Sequence, residues 1–567
     1  MPLRLRLFLN KVRFLYSNYP ALISVGVFLV VALLYSWAYL DNSGISTIDD
    51  HFYYFKYAEI LRKGGWDEMK NFTGGFLLKT EVGQSKFGLS LFNIATVPFT
   101  FFKDSIAGLK LSDIFFASSL LALFYYVLKK ANIKYPLFFT FFILASPFLI
   151  HRLLMGRPFI LTIGLVFLEM FLVVKKEYRK LFLLTLVHLF WHNATFWLPL
   201  VIVGIVEIAR YLVLQKFFYY NFFAVFFATA SGMVFLPNFP NLWTWLGNIF
   251  VAQTSVIDRS SKVSGMELSA LDAFSGRFIG IDVFFVIALI CVATIIFFYI
   301  RQKKEPSSLI CIGQDCELAE RYIIAYSSFI FLLLLILGTM VISGRFYDYY
   351  QFTLIFLLAV IVSIFQKERL VVFNGGLYRY LAVGLVVFIA LVSLNNFIEL
   401  KKMIGNIRYA SYIEAARWLE SHSNEKELVF IHDWGSFPRL FFGDSKNVYT
   451  MGMDPTALKQ YDQKLYWRWY NMYRYNFYCD EMRDCEDLVK ATSDRLATQG
   501  EDAGKEYAKE NGRKMVDSVK TEFGSRFIVS DVDAFSRIIA LNPDLIEEHY
   551  EAKAQNENVK VDVFKLK

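Results

Sequence analysis

Long apolar runs decide what this chain can become. Stretches of roughly 15–25 apolar residues recur between Ala21 and Leu394, the length a helix needs to cross the hydrocarbon of a bilayer. In lipid every backbone N–H and C=O must bond within the segment, so such runs are helices. Composition agrees. Of 567 residues, 56% are hydrophobic and 18% aromatic, with a mean hydropathy of +0.40. Soluble proteins are about half apolar at most. The fold class expected is a polytopic α-helical membrane protein with one water-soluble part. The net charge of +8 lies in short clusters between the runs. That is the positive-inside pattern, not the footprint of a nucleic-acid binder.

The clusters thread the chain. Met1–Asn18 carries Arg4, Arg6, Lys11 and Arg13 and is expected inside, with no cleavage site after it. Spans follow at about Ala21–Leu40, Ala107–Leu128, Pro136–Ile150, Phe159–Val174, Phe217–Phe235, Ile281–Ile300, Tyr322–Ile342, Phe352–Phe365 and Leu377–Leu394. Leu181–Leu214 adds a helical hairpin broken near His192-Asn193. Phe87–Phe102 is short and interrupted by Pro98. Were it to cross, the lysines after Leu128 and Val174 would fall outside, so an interfacial or re-entrant helix is expected. This gives about eleven transmembrane helices in residues 1–395, with a large first outer loop at 41–106.

Residues 396–567 are then extracytoplasmic and long enough for their own core. Tyr409–Ser421 reads as an amphipathic helix. Leu428–Ile431, Val448–Met451, Phe527–Ser530 and Val559–Phe564 read as short strands, and Asp480–Thr521 as a charged, helical excursion. A small C-terminal α/β domain is expected. Cys479 and Cys485 lie in it, where a local disulfide can form. Cys311 and Cys316 read as free thiols in an inner loop, since a lone cysteine pair is a weak zinc signal.

Several groups carry possible chemistry. Asp49-Asp50 stands where the first span leaves the bilayer, followed by His51, an aromatic run and Lys56. A carboxylate there suits a general base or a metal ligand. It equally suits an N-cap on a helix running through Leu61 and ending at Gly64-Gly65. Arg152, Arg157 and Arg345 break the charge rule at the outer mouth, and such charges ask for a partner. A lipid phosphate, which guanidinium binds bidentately, is one. Headgroup contact for Arg152, and an ion pair of Arg345 with Asp348, are the alternatives. Tyr349 fits an aromatic belt. His192 and Asn193 sit at a helix break, which must line a cavity or be buried in protein. Glu267 lies in a later outer loop. His432 and Asp433 follow a strand, where α/β domains place ligand sites, though a turn packed by aromatics explains them too.

Together these features resemble the GT-C superfamily of integral membrane glycosyltransferases. That group includes the oligosaccharyltransferase catalytic subunit, protein O-mannosyltransferases and the aminoarabinose transferase of lipid A. Asp50-His51-Phe52-Tyr53-Tyr54-Phe55-Lys56 looks like the acidic motif of the first outer loop, and Arg345-Phe346-x-x-Tyr349 is similar to the donor-phosphate arginine motif. The resemblance covers about Met1–Leu400. Two departures stand out. The next outer loop, His151-Arg152-Leu153-Leu154-Met155-Gly156-Arg157-Pro158, is basic where oligosaccharyltransferases carry a second, metal-binding acidic motif. The Trp-Trp-Asp type of peptide-binding motif is absent from the outer domain.

The resemblance implies an inverting transfer of sugar from a polyprenyl-phosphate donor to an acceptor hydroxyl on the outer face of a membrane, expected to be a bacterial inner membrane. Asp50, or Asp49, is the expected base, with Arg345, Arg157, Arg152 and Tyr349 on the donor phosphate. His51, Lys56, His192, Asn193, Glu267 and Asp348 are expected to line the substrate cavity. No cofactor is expected, and a divalent metal is not supported. The acceptor is a glycan, lipid or protein. The rival classes are a transporter or flippase, which would normally show inverted repeats, and a non-catalytic scaffold.

Overall fold

A computed structural model of the chain describes residues 19–46, 50–71, 90–235, 290–298, 314–341, 346–367, 376–406, 409–452, 455–479, 485–488, 490, 501–554 and 559–567. Asp49, Arg345 and Glu267 lie outside the described residues, as do the N-terminal arm and Cys311.

Helix α1 (Pro20–Tyr35) starts with proline in its first turn, where the missing N–H costs nothing. It widens into a π-turn at Ser36–Leu40. Helix α2 (His51–Asn71) follows. It breaks at Gly65, whose φ of 63° and ψ of −156° interrupt the helical path. The Asp50 carbonyl accepts from Tyr54 N–H at 3.0 Å, which puts Asp50 at the N-cap position.

Helix α3 (Leu91–Thr96) is six residues capped by Ser90, and a five-residue 3-10 turn, Val97–Phe101, continues it. At about 1.5 Å per residue that falls well short of a ~30 Å hydrocarbon core. Helix α4 (Ser105–Lys130) is capped by the Asp104 carboxylate and ends in Lys129 and Lys130, each charge matched to the helix dipole.

The bundle continues with α5 (Pro136–Phe142), α6 (Pro147–Arg152), α7 (Phe159–Val174), α8 (Tyr178–Trp191), α9 (Leu198–Leu214) and α10 (Tyr220–Val234). The broken hairpin is present: a 3-10 turn at Asn193–Thr195 separates α8 from α9. Then come α11 (Gln314–Val341), α12 (Phe346–Lys367) and α13 (Gly376–Asn406). Among the described residues, six helical stretches are long and apolar enough to cross a membrane, and four apolar helices are shorter. The count of eleven spans is thus not reached by long helices alone. Helix α13 runs unbroken through the expected boundary at 395.

Beyond α13, helix α14 (Ala410–His422) leads into β1 (Leu428–Ile431), α15 (Phe437–Gly443) and β2 (Val448–Tyr449). Next are α16 (Thr456–Tyr461), α17 (Gln463–Tyr475), α18 (Glu501–Ser518), β3 (Phe527–Ser530), α19 (Asp533–Ala540), β4 (Ile546–Ala552) and β5 (Val561–Leu566). The strands form one sheet in the order β2-β1-β3-β5-β4. β2, β1 and β3 are parallel, whereas β5 is antiparallel to both β3 and β4. Cys479 and Cys485 are joined as a disulfide.

Helix α2 ties the two parts together. Phe52 and Phe55 belong to the core of the bundle. Tyr53, Tyr57 and Ile60 belong to the core of the sheet region. Phe52 meets Phe442 at 5.1 Å between ring centroids and Tyr53 meets Phe441 at 5.4 Å. The aromatic run after the acids is therefore mortar between bundle and sheet, as its alternating faces allow.

Candidate functional site

Two short segments meet at one end of the bundle, residues 41–46 with Asp50, and residues 153–158. Hydrogen bonds stitch them together. Ser46 Oγ donates to the Leu154 carbonyl at 2.7 Å. His151 Nε2 lies 2.6 Å from the Ser46 carbonyl, and Tyr35 OH donates to the Ile150 carbonyl at 3.2 Å. Tyr39 OH sits 3.2 Å from Ser46 Oγ and donates to Asp113 Oδ2 at 3.1 Å. Lys110 Nζ donates to the Asn42 carbonyl. These bonds satisfy backbone carbonyls at Asn42, Ser46, Ile150 and Leu154 within the protein.

Asp50 faces Arg157 across this seam, with Arg157 Nε 3.3 Å from Asp50 Oδ2. The carboxylate side chain keeps 20% exposure and the guanidinium 9%. An acid that a substrate can reach thus stands beside a nearly buried cation. Both readings of Asp50 meet here: its main chain opens α2 while its side chain faces a charge.

His51 is buried, with Nδ1 3.8 Å from Asp113 Oδ2. Asp113 is fully buried in α4, and its Oδ1 has no hydrogen-bond partner among the described residues. Gly156 explains the close packing. With φ at +55°, a Cβ there would lie 2.3 Å from Asp113 Oδ1 and 2.7 Å from His51 Cβ. Only glycine gives both that backbone and that approach. Asp113 and Lys110 were missed in the sequence because the span Ala107–Leu128 reads as apolar around them. The available signal was the charge itself, since an ionisable residue inside a span marks a site by default.

Arg152 and Asp348 form a second pair, bidentate at 3.0 and 2.7 Å and almost fully buried. Phe148 and Phe159 flank the guanidinium at 5.8 and 5.4 Å from their ring centroids. Headgroup contact for Arg152 is therefore wrong: 8% exposure leaves it no access to lipid headgroups. Asp348 pairs with Arg152, 196 residues away in sequence; Arg345, the partner expected for it, lies outside the described residues. Tyr349, on the next residue, has a buried hydroxyl with no hydrogen-bond partner among the described residues.

The remaining residues divide. His192 Nδ1 lies 3.1 Å from Thr162 Oγ1, near the top of α7, and Trp191 Nε1 donates to the Pro158 carbonyl at 2.8 Å. The helix break therefore backs onto the basic loop. Asn193 opens the 3-10 turn there. His188 is buried between Glu169 (2.9 Å) and Thr195 (3.0 Å), which suits buried hydrogen bonding. Lys56 is engaged on the surface of α2, 3.1 Å from Glu59. So Asp50, His51 and Arg157 come together with Asp113, with Arg152 and Asp348 on the same basic loop and its neighbour α12.

No protein-family model matches this chain, and no curated protein sequence does. Among solved structures it is similar to the oligosaccharyltransferase of Archaeoglobus fulgidus in the apo form. The identity is 11% and the TM-score 0.48, over 93% of this chain and 73% of that one. A superposition of that score is too loose to establish a common fold, so function rests on the residues above.

Proposed function

We propose that this protein is an integral membrane glycosyltransferase of the GT-C type. It takes a sugar from a polyprenyl-phosphate donor and places it on an acceptor hydroxyl. One observation carries the reading: Asp50, one-fifth exposed, beside the nearly buried Arg157, on two segments bonded to each other at one end of an apolar bundle. The acidic and arginine motifs of the GT-C resemblance support it.

In this reading Asp50 removes the proton from the acceptor hydroxyl as it attacks the anomeric carbon. The lipid phosphate leaves, its charge taken up by Arg157 and Arg345. A single displacement inverts the anomeric centre and needs one base. The geometry adds a requirement. Reacting atoms sit about 3–3.5 Å apart in a productive complex. A base and a phosphate-binding cation already 3.3 Å apart leave no space for a sugar ring between them. Donor binding has to part the pair, the phosphate replacing the Asp50 carboxylate as the partner of Arg157. His51, held against Asp113 and Gly156, fixes the start of α2 and with it the position of Asp50.

Lipid extracts of deletion and wild-type cells, compared by mass spectrometry, test the donor: a polyprenyl-phosphate sugar should accumulate in the deletion strain. Transfer that survives both Asp50→Asn and Asp49→Asn would sink the mechanism.

A further inference from the structure

The sheet region contains a second cluster that the proposed reaction does not use. In the order β2-β1-β3-β5-β4, β1 leads to β2 on one side, whereas β3 leads to β5 and β4 on the other. The gap between β1 and β3 is thus a topological switch point, the place where open α/β sheets bind ligands beyond the carboxyl ends of their strands. Ile431 pairs with Val529 in parallel register, and His432 N–H donates to the Val529 carbonyl at 2.9 Å. Two residues on, the same register sets Asp433 opposite Asp531. Neighbouring strands lie about 4.8 Å apart, so the two carboxylates face each other across the mouth of the crevice.

Neither acid is neutralised by an ion pair within 4 Å among the described residues. Tyr412 OH donates to Asp531 Oδ2 at 2.6 Å, while Asp531 Oδ1 is buried and has no hydrogen-bond partner among the described residues. Asp433 Oδ1 accepts from Gly435 N–H at 3.1 Å. Burial, and after it the charge of Asp531, push Asp433 up to about 6. Arg439 is 3% exposed and lies 3.4 Å over the Tyr412 ring; its Nε has no hydrogen-bond partner among the described residues. Trp434 and Tyr473 stand beside the acids and are half-buried, as the acids are. His432 takes no part. It is buried, stacked on Phe535 at 3.9 Å, and pushed down to about 4 by burial.

The mixture of signs narrows the ligand. Two carboxylates repel an anion, and Arg439 beside them disfavours a bare cation. A hydroxyl group both donates and accepts, so it satisfies an orphan carboxylate oxygen and an orphan guanidinium N–H together. Half-buried aromatic rings offer a face to the C–H side of a pyranose. We propose that Asp433, Asp531 and Arg439, with Trp434 and Tyr473 beside them, form a binding site for the vicinal hydroxyls of a neutral sugar. The site is separate from Asp50 and does not depend on Asp50 being a base.

Full-length protein in nanodiscs, titrated with methyl glycosides of neutral hexoses and N-acetylhexosamines, tests this by saturation-transfer NMR. Wild type and Asp50→Asn should bind one of these glycosides saturably and alike. The Asp433→Asn/Asp531→Asn double variant should bind it at least about tenfold more weakly, the loss expected for hydrogen bonds to a charged group. Trp434→Ala should weaken it as well, with melting temperatures showing that both variants are folded. The proposal is overturned if wild type binds none of the glycosides, or if the folded double variant binds as well as wild type. It is overturned equally if the glycosides fail while calcium chloride raises the melting temperature of wild type and not of the double variant, which makes the pair a cation site.

Discussion

At the end of the bundle away from Asp50, buried arginines bond main-chain carbonyls as well as carboxylates; at the Asp50 end, they are set against carboxylates from distant parts of the chain. Arg210 donates to the carbonyls of Val173 (2.6 Å) and Val174 (3.3 Å), the last residues of α7, and pairs with Glu207 at 3.3 Å. Arg321 donates to the carbonyls of Ser363 and Asn132, both at 3.0 Å, and pairs with Glu317, which also binds Lys367. Arg210 sits at the C-terminus of α7, at the negative end of its dipole, and Arg321 bonds carbonyls near the ends of α4 and α12. Arg152 and Arg157 meet Asp348 and Asp50 instead. One end shares its buried charge between local acids, three or four residues away on the same helix, and main-chain carbonyls. The other keeps charge facing charge, at the seam of two loops, where a phosphate and an acceptor would need it. The same residue types therefore serve stability at one end and, in the proposed reaction, chemistry at the other.

The sharpest way to break this comparison is to neutralise one acid at the Asp50 end. Asp50→Asn keeps the shape and the N-cap acceptor but removes the base. Transfer by purified protein should fall by about 10²–10⁴-fold with the melting temperature nearly unchanged. A large drop in stability with transfer per folded molecule intact would make Asp50 a structural cap and nothing more.

Arg210→Ala tests the other end. It strips Glu207 of its cation and frees two helix-terminal carbonyls, so stability should fall by about 3–5 kcal/mol. That loss is measured by thermal or denaturant unfolding in detergent. Transfer per folded molecule should stay at the wild-type level; a selective loss of transfer would erase the distinction between the two ends.

Gly156→Ala should cost about 1–3 kcal/mol, because it strains a +55° φ and drives a methyl against Asp113 and His51. Transfer should drop with it, since the start of α2 moves. Gly204→Ala in α9 is the matched control, with nothing within 4 Å of the added Cβ, and should be neutral or slightly stabilising.

The smallest effect lies in the sheet region. A carboxyl group held near 6 binds its proton more tightly when folded than its ordinary value of 3.8 allows. Its contribution to stability is therefore full below about pH 4 and is lost as pH rises through about 6. His432, pushed down to about 4, works in the opposite sense as pH falls below its ordinary 6.5, and Asp531, Arg439, Tyr412 and Tyr473 surround the pair. The readout is thus the difference between two profiles. Asp433→Asn should be about 1 kcal/mol more stable than wild type at pH 7.5, and the gap should close towards pH 4. Equal profiles in thermal unfolding would mean that Asp531 does not face Asp433.

Much of this was legible in local sequence. The broken hairpin at His192-Asn193, the short helix before Phe102 and the strands Leu428–Ile431 and Phe527–Ser530 all appear where hydrophobic length, proline and strand pattern put them. Each depends on neighbours within a turn or two. Asp113 was hidden because a single acid barely changes the hydropathy of a 26-residue helix. The aromatic run after Asp50 carries no local sign of its partner. It turned out to join bundle to sheet, because a helix presents different faces to different partners.

The sequence by itself determined that this chain builds membrane-length helices, where they break and cap, and that acids and arginines collect near helix ends. Bilayer thickness and backbone hydrogen bonding require that much of any such chain. Which charge meets which was decided by the tertiary structure alone. Arg152 finds Asp348 across 196 residues, and Arg157 finds Asp50 across two loops. Burial leaves an ion no stable alternative to a partner, yet the identity of that partner depends on which helices pack side by side, and no local pattern records it.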